Sequence, residues 1–169
     1  MQFEPKPISK EGIPAALEKA QRYRLLNEPA EAESICLDVL AADADNEEAK
    51  ATLLLALTDQ FEEEEGTDAL AEAWECLARM DDEYNHQYYG GIIWERRAKA
   101  RLHRGTPDAG FRAYEWLREA MECYERAEAV RPPGNDDALL RWNACARLIM
   151  RDRRLVPAEE ERGEPLLLE

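Results

Sequence analysis

The chain has 169 residues, of which 45% are hydrophobic and 35% are charged, and only 8 are glycine. This composition argues against a disordered chain and favours long helices with one side facing solvent. The 37 acids and 22 bases give a net charge of -15, which disfavours nucleic acid as a partner because phosphates need a basic surface.

The acidic excess lies in the first half of the chain. Residues 1–85 hold 22 acids and 7 bases, whereas residues 86–169 hold 15 of each. Any basic surface is therefore expected in the second half. The N-terminal extension, residues 1–11, lacks the apolar run of a signal peptide, and no stretch of about 18 apolar residues predicts a membrane span. We expect a cytoplasmic protein without a membrane partner.

Two helical hairpins are predicted in the first half. Residues 14–26 have the spacing of a helix that begins near Pro14, and the break at residues 27–29 separates it from a second apolar stripe that starts at Ala32. The pattern recurs 34 residues after Ala20, at Leu54, and 37 residues after Ala32, at Ala69. We place the three-residue insertion at the acidic run 62–65, where a longer loop costs least.

A third hairpin and a single last helix follow. Ala98 and Ala120 are 22 residues apart, against 12 for the corresponding positions of the first unit, so about ten extra residues lengthen either the connection or the second helix. Residues 137–150 form a last helix with no partner after it, which is expected to cap the stack.

The repeat length and its landmarks resemble those of the tetratricopeptide repeat family. That family carries W-x2-L-G-x2-Y, then A-x3-F, then a closing proline. The third unit matches best, with Trp94, Ala98, Ala120, Tyr124 and Pro132. The resemblance covers residues 12–151 and implies an all-α fold, a right-handed superhelix of about seven helices in antiparallel pairs. Residues 152–169 are predicted to form a flexible acidic tail.

The pair Gly90-Gly91 precedes Trp94 near the predicted start of a helix. No strand precedes it, and it belongs to neither common phosphate-binding glycine pattern. We interpret it as a point of close packing with the preceding helix, which outweighs a helix cost of about 1 kcal/mol per glycine.

Residues that could support catalysis lie in no recognisable motif. The two histidines, His86 and His103, are 17 residues apart and lack metal-ligand spacing. The four cysteines form no C-x-x-C pair and are predicted to be buried, as are the tryptophans Trp74, Trp94, Trp116 and Trp142. We therefore expect no catalytic residue, no metal and no cofactor.

The family resemblance implies that the first helix of each pair lines a concave groove, which binds an extended or helical segment of another protein. The groove residues would then be Leu17, Gln21, Arg24, Leu55, Thr58, Glu95, Arg96, Lys99, Leu102, His103, Leu140 and Arg147. They describe an apolar floor with mostly basic side chains beside it. The co-chaperone members clamp a C-terminal carboxylate with Lys and Asn where this chain has Leu17 and Gln21, so that function is not implied.

The helix WERRAKARLHR gathers five bases within nine residues: Arg96, Arg97, Lys99, Arg101 and Arg104. Two interpretations stay open. The bases form either a solvated face paired with acids such as Glu95 and Glu122, or a site for an acidic ligand, to which arginine forks are suited.

The end of the chain is a candidate ligand for the groove. The tail is acidic and closes on Leu166, Leu167 and Leu168, three leucines at a terminus where exposure is expected. It complements an apolar groove with basic edges, in the same molecule or in a neighbour, and a disordered terminus is the alternative. The predicted function is a non-catalytic adaptor for a protein segment of acidic and apolar character; the alternative is a structural repeat protein that self-assembles.

Overall fold

The computed structural model describes residues 3–62 and 68–158. Within these ranges the protein has no strand, and a short 3-10 turn (Lys10–Gly12) precedes seven α-helices: α1 (Ile13–Leu25), α2 (Pro29–Ala42), α3 (Glu47–Asp59), α4 (Asp68–Ala78), α5 (Glu83–Arg104), α6 (Ala109–Ala129) and α7 (Asp137–Arg151). The predicted all-α class and the number of helices are confirmed. None of these described helices has the length and apolar character needed to cross a lipid bilayer.

The helices pack in the order in which they occur along the chain. Each helix from α1 to α6 packs against the next one, and α3 also contacts both α1 and α5. The first helices of successive hairpins are therefore neighbours, as in a helical solenoid.

Local chemistry explains where the helices begin and end. Pro29 lies in the first turn of α2, where its missing N–H is no loss. The side chains of Asn46 and Asp82 accept the backbone N–H groups of residues three positions later and so cap α3 and α5. Gly105 ends α5 with a left-handed backbone (φ 67°), a conformation that glycine adopts without steric cost.

The third hairpin is longer than the others because its helices are longer. Helices α5 and α6 have 22 and 21 residues, whereas α1 and α3 have 13 each. At 1.5 Å per residue, α5 spans about 33 Å against about 20 Å for α3. Only residues 105–108 connect α5 to α6. The extra residues of this unit therefore extend helices and do not form a separate flap.

The glycine pair lies in the interior of α5, seven residues after its start, and not at the beginning of the helix as predicted. A Cβ atom on Gly91 would lie 2.5 Å from the Tyr124 ring on α6, whereas one on Gly90 would make ordinary contacts, 3.5 Å from Leu77 on α4. Close packing is thus confirmed, but the helix that requires it is the following one, because Tyr124 leaves no room at Gly91.

Helix α5 contributes to two hydrophobic clusters. Ile93 and Ala100 pack with α1 to α4, and Ile92 and Ala98 pack with α6 and α7. The tryptophans are half-buried and pack against these clusters, so each combines a core contact with an accessible edge.

The chain after α7 turns back onto the start of α6. Leu155 is buried in the second cluster, and the carbonyl oxygen of Arg154 approaches Gly110 so closely that a Cβ there would lie 2.1 Å away. At Arg154 and Leu155 the chain is thus packed against the start of α6 and the second cluster, within the tail that was predicted to be flexible. The tail leucines lie outside the described residues.

Candidate functional site

A cleft of about 470 Å³ opens between α1, α3 and α5. Its lining is mostly polar and comprises Arg24, Leu25, Asn27, Thr58, Asp59, Glu62, Arg96 and Lys99. Four of these residues, Arg24, Thr58, Arg96 and Lys99, belong to the predicted groove. We call this cleft the α1–α3–α5 groove.

Asp59 lies between two arginines at the groove. Its Oδ2 accepts a hydrogen bond from Arg24 Nε at 2.8 Å, and its Oδ1 lies 3.5 Å from Arg96 Nη1. One carboxylate thus neutralises only part of the charge of two guanidiniums, each of which has five N–H donors. Donors on both arginines are left for a further acceptor.

A second carboxylate lies beneath Lys99. Glu95 is only 1% exposed, and its Oε1 accepts a hydrogen bond from Lys99 Nζ at 2.5 Å while its Oε2 accepts one from the Tyr124 hydroxyl at 2.6 Å. Burial on its own raises the pKa of Glu95, but the charge of Lys99 and these hydrogen bonds outweigh it and hold the pKa below its ordinary value. Glu95 is therefore a buried, ionised anchor for Lys99.

Helix α7 reaches the same carboxylate through Arg141, whose Nη1 lies 3.3 Å from Glu95 Oε1. Burial alone would lower the pKa of Arg141, but the negative charge of Glu95 raises it above its ordinary value. Burial and the adjacent Glu95 carboxylate together raise the pKa of Tyr124, which stays protonated and donates. Glu95 thereby joins α5, α6 and α7.

The arrangement repeats from helix to helix. Asp59 is shared by Arg24 and Arg96, and Glu95 is shared by Lys99 and Arg141. Four cations and two shared carboxylates therefore follow one another across α1, α3, α5 and α7. Beside them stands Leu25, which lines the groove and is 88% exposed. The site can offer charge and apolar contact to a single ligand.

The other predicted groove residues lie elsewhere. Leu17 is only 4% exposed and packs with Ile13, Val39 and Ala49, so its assignment to an open surface was wrong. Glu95 was also wrongly assigned to an open surface, because Lys99, Tyr124 and Arg141 enclose its carboxylate. The remaining ones are half-buried or exposed, and none of them lines the groove: Gln21, Leu55, Leu102, His103, Leu140 and Arg147.

Sequence reasoning missed Leu25, Asn27, Asp59 and Glu62 as lining residues. Asp59 follows the predicted Leu55 by four positions and Glu62 follows the predicted Thr58 by four, so continuing the α3 stripes by one turn would have found both. Thr58 itself is buried and donates its hydroxyl to the Leu55 carbonyl at 2.8 Å. It contributes shape more than a free polar group.

The basic helix is divided among several partners. Arg96 pairs with Asp59 and Lys99 with Glu95, while Arg101 pairs with Asp108 and Arg104 donates to the Phe61 carbonyl at 2.7 Å. Glu122, which was considered as a partner for this helix, instead lies 3.8 Å from Arg126. The bases of α5 therefore do not form one face: some point into the groove and others towards α6.

The four cysteines are buried, as predicted. Burial raises the pKa of Cys36 and Cys145 to about 12 and that of Cys76 to about 11, and it also raises the pKa of Cys123. A thiol with such a pKa stays protonated near neutrality, whereas the thiolate is the nucleophile. Among the described residues, no group of three or more His, Cys, Asp or Glu side chains is placed to hold a metal ion.

Comparison with known proteins finds no match to a protein-family model, to a curated protein or to a solved structure. The function must therefore be argued from the groove itself.

Proposed function

We propose that the chain is a non-catalytic protein-interaction module of tetratricopeptide-like architecture, which binds an acidic, leucine-containing protein segment in the α1–α3–α5 groove. The observation that carries the proposal is the group of four cations, Arg24, Arg96, Lys99 and Arg141, that share the carboxylates of Asp59 and Glu95 next to the exposed Leu25, with Glu62 as one further acid in the lining. A superhelical stack of hairpins would present this groove on its concave side.

The chemistry of the groove favours a carboxylate-bearing ligand. Arg24 and Arg96 each keep free N–H donors after binding Asp59, and a ligand carboxylate placed between them would make charge-assisted hydrogen bonds. The cleft of about 470 Å³ lies within the range of roughly 300–1,000 Å³ usual for ligand sites. A leucine of the ligand would cover Leu25 and remove apolar surface of both from water.

The acidic character of the molecule makes this groove selective. Surface acids elsewhere repel an acidic segment, so such a ligand gains electrostatic energy mainly at the groove cations of α1 and α5. The chain's own tail, with Leu166, Leu167 and Leu168, is one candidate segment.

The test is fluorescence anisotropy with a panel of labelled acidic peptides that contain leucine, among them residues 159–169. The protein should end at residue 158, because Leu155 belongs to the core. We expect saturable binding that weakens as salt is added. Replacement of the tail leucines by serine should weaken binding of that peptide.

Charge reversal at the groove provides the decisive comparison. The double variant Arg96→Glu and Lys99→Glu should lose binding, whereas Arg22→Glu should retain it, because Arg22 is exposed, pairs with Glu18 and does not line the groove. Absence of saturable binding across the panel, or equal loss in both variants, would refute the proposed function.

A second candidate function is self-assembly. Leu140 and Met150 on α7 are 64% and 78% exposed. Helix α7 is the last helix within the described residues, and it packs against α6, the helix before it. Apolar side chains on a terminal helix favour contact with another copy. Light scattering should show mass that grows with concentration and falls back in Leu140→Glu; a constant monomer mass would exclude this candidate.

A further inference from the structure

Arg97 is held between two indole rings on the side of α5 that faces α6. Its Cζ atom lies 4.0 Å from the centre of the Trp116 ring and 5.5 Å from that of Trp94. Trp94 in turn meets Trp74 of α4 edge to face, with ring centres 5.2 Å apart. A guanidinium stacked in this way keeps its N–H groups directed outward, around the edge of the rings.

Two more arginines lie beside Arg97 because α5 and α6 run antiparallel. Since Arg97 meets Trp116, the residue one turn later in α5, Arg101, lies opposite the residue one turn earlier in α6, Arg112. Three guanidiniums, those of Arg97, Arg101 and Arg112, therefore lie together where α5 meets α6, and we call this group the seam. Burial, and then the positive charges of Arg112 and Arg101, lower the pKa of Arg97, in agreement with this placement.

The acceptors at the seam are fewer than the cations require. Arg101 Nη2 binds both carboxylate oxygens of Asp108, each at 3.0 Å, but the Nε of Arg101 is buried and has no hydrogen-bond partner among the described residues. Arg112 has a single contact of 3.3 Å with the carboxylate of Glu115. The Arg97 guanidinium has no hydrogen bond or ion pair to any other residue within 3–62 and 68–158.

Such a seam is costly without an anion. A buried N–H that lacks an acceptor has lost the hydrogen bond that it makes with water in the unfolded chain, and like charges at close range repel. An anion that contacts all three guanidiniums would relieve both penalties together.

We propose that the seam of Arg97, Arg101 and Arg112 is a binding site for a phosphoryl group. A single carboxylate offers one charge and a planar pair of oxygens, which one arginine fork satisfies. A phosphoryl group offers up to two charges and three acceptor oxygens in tetrahedral directions, which matches three guanidiniums that approach from two helices. The site lies outside the α1–α3–α5 groove and does not depend on the function proposed for it.

The indoles that hold Arg97 also report on it. Phosphate bound at the seam should change the emission of Trp94 and Trp116. The experiment is a titration of the full chain with inorganic phosphate, followed by tryptophan fluorescence, with sodium chloride of equal ionic strength as the control. A second arm uses a neutral peptide with one phosphoserine and its unphosphorylated twin.

We expect a saturable change with phosphate or with the phosphopeptide, and none with chloride or the unphosphorylated twin. Half-saturation by the phosphopeptide at a concentration at least tenfold below that of phosphate would assign the group to a modified protein; the reverse order would assign it to the free ion. Both results support the site.

Variants separate the seam from general attraction to positive charge. Arg97→Met keeps a flexible side chain between the indoles and should weaken binding at least tenfold, while Arg118→Met, an exposed position of α6 close to Trp116, should bind as the unmodified chain does. Arg112→Met, on the surface, is a second variant in case Arg97→Met does not fold, which circular dichroism would reveal. The proposal is overturned if neither ligand saturates, or if binding persists in the folded seam variants.

Discussion

Replacement of Gly91 by alanine should destabilise the protein strongly. The added Cβ would lie 2.5 Å and 2.8 Å from two carbons of the Tyr124 ring, closer than packed carbons approach. Tyr124 is fully buried, and its hydroxyl is fixed 2.6 Å from Glu95 Oε2, so the ring cannot move aside without loosening that bond.

The size of the effect follows from three contributions. Overpacking of a core costs about 1–3 kcal/mol. Weakening a hydrogen bond to a charged acceptor costs a further 1.5–3 kcal/mol or so, and the better helix propensity of alanine returns about 1 kcal/mol. We expect a net loss of about 3 kcal/mol, which for a chain of 169 residues lowers Tm by roughly 10 °C.

The neighbouring glycine is the matched control. A Cβ on Gly90 would lie 3.5 Å from Leu77 Cδ2 and 3.9 Å from Cys123 Sγ, both ordinary contacts. Gly90→Ala should therefore stabilise the protein by about 1 kcal/mol through helix propensity alone. Thermal and urea unfolding followed by circular dichroism measure both. If Gly91→Ala unfolds within about 0.5 kcal/mol of the unmodified chain, or if the two variants shift in the same direction, the packing account of the glycine pair is wrong.

Three further predictions concern the core. Glu95→Gln should lower stability at neutral pH, and the difference from the unmodified chain should shrink below pH 4.5. The folded pKa of Glu95 is depressed, so its contribution to stability is complete above the ordinary pKa and is lost as pH falls towards the folded pKa. A stability difference that does not change with pH in urea titrations would contradict this. Leu155→Ala should cost about 3 kcal/mol in the same assay, whereas Leu37→Ala, at an exposed position, should cost under about 0.5 kcal/mol, and equal losses would show that residues 152–158 are not part of the core. Cys36 and Cys145 should react with a thiol reagent at pH 8 at least tenfold more slowly in the folded than in the unfolded protein, and rapid labelling of native protein would count against their burial.

Helical periodicity was sufficient to predict the fold class and the approximate helices. The stripe that includes Ala20 and the stripe of Ala32 and Cys36 correspond to α1 and α2, because alanine and cysteine recur on the buried side of each helix. The start of α5 was placed about seven residues too late, since glycine is a poor helix former and the pair at 90–91 resembled a helix start. Helix α5 tolerates the glycine pair because Gly91 packs closely against Tyr124 of α6, which is a tertiary contact.

The candidate site was predicted only in part, for a related reason. Arg96 and Lys99 were predicted as groove residues because they are three positions apart on α5, which places them on one side of the helix. Burial of Glu95 was invisible, because the residues that enclose it, Tyr124 and Arg141, are 29 and 46 positions away in the chain. Spacing along one helix cannot reveal a charge pair that three helices complete.

The two sides of α5 have a consequence for how the molecule unfolds. Ile92 and Ile93 are adjacent in sequence, yet one packs with the α6 and α7 cluster and the other with the cluster of α1 to α4. In a stack where each helix touches mainly its neighbours, the two halves sense each other chiefly through this shared helix. Cooperativity of unfolding between the acidic first half and the near-neutral second half thus depends on a few consecutive residues of α5. A destabilising substitution there would let the two halves unfold as separate units.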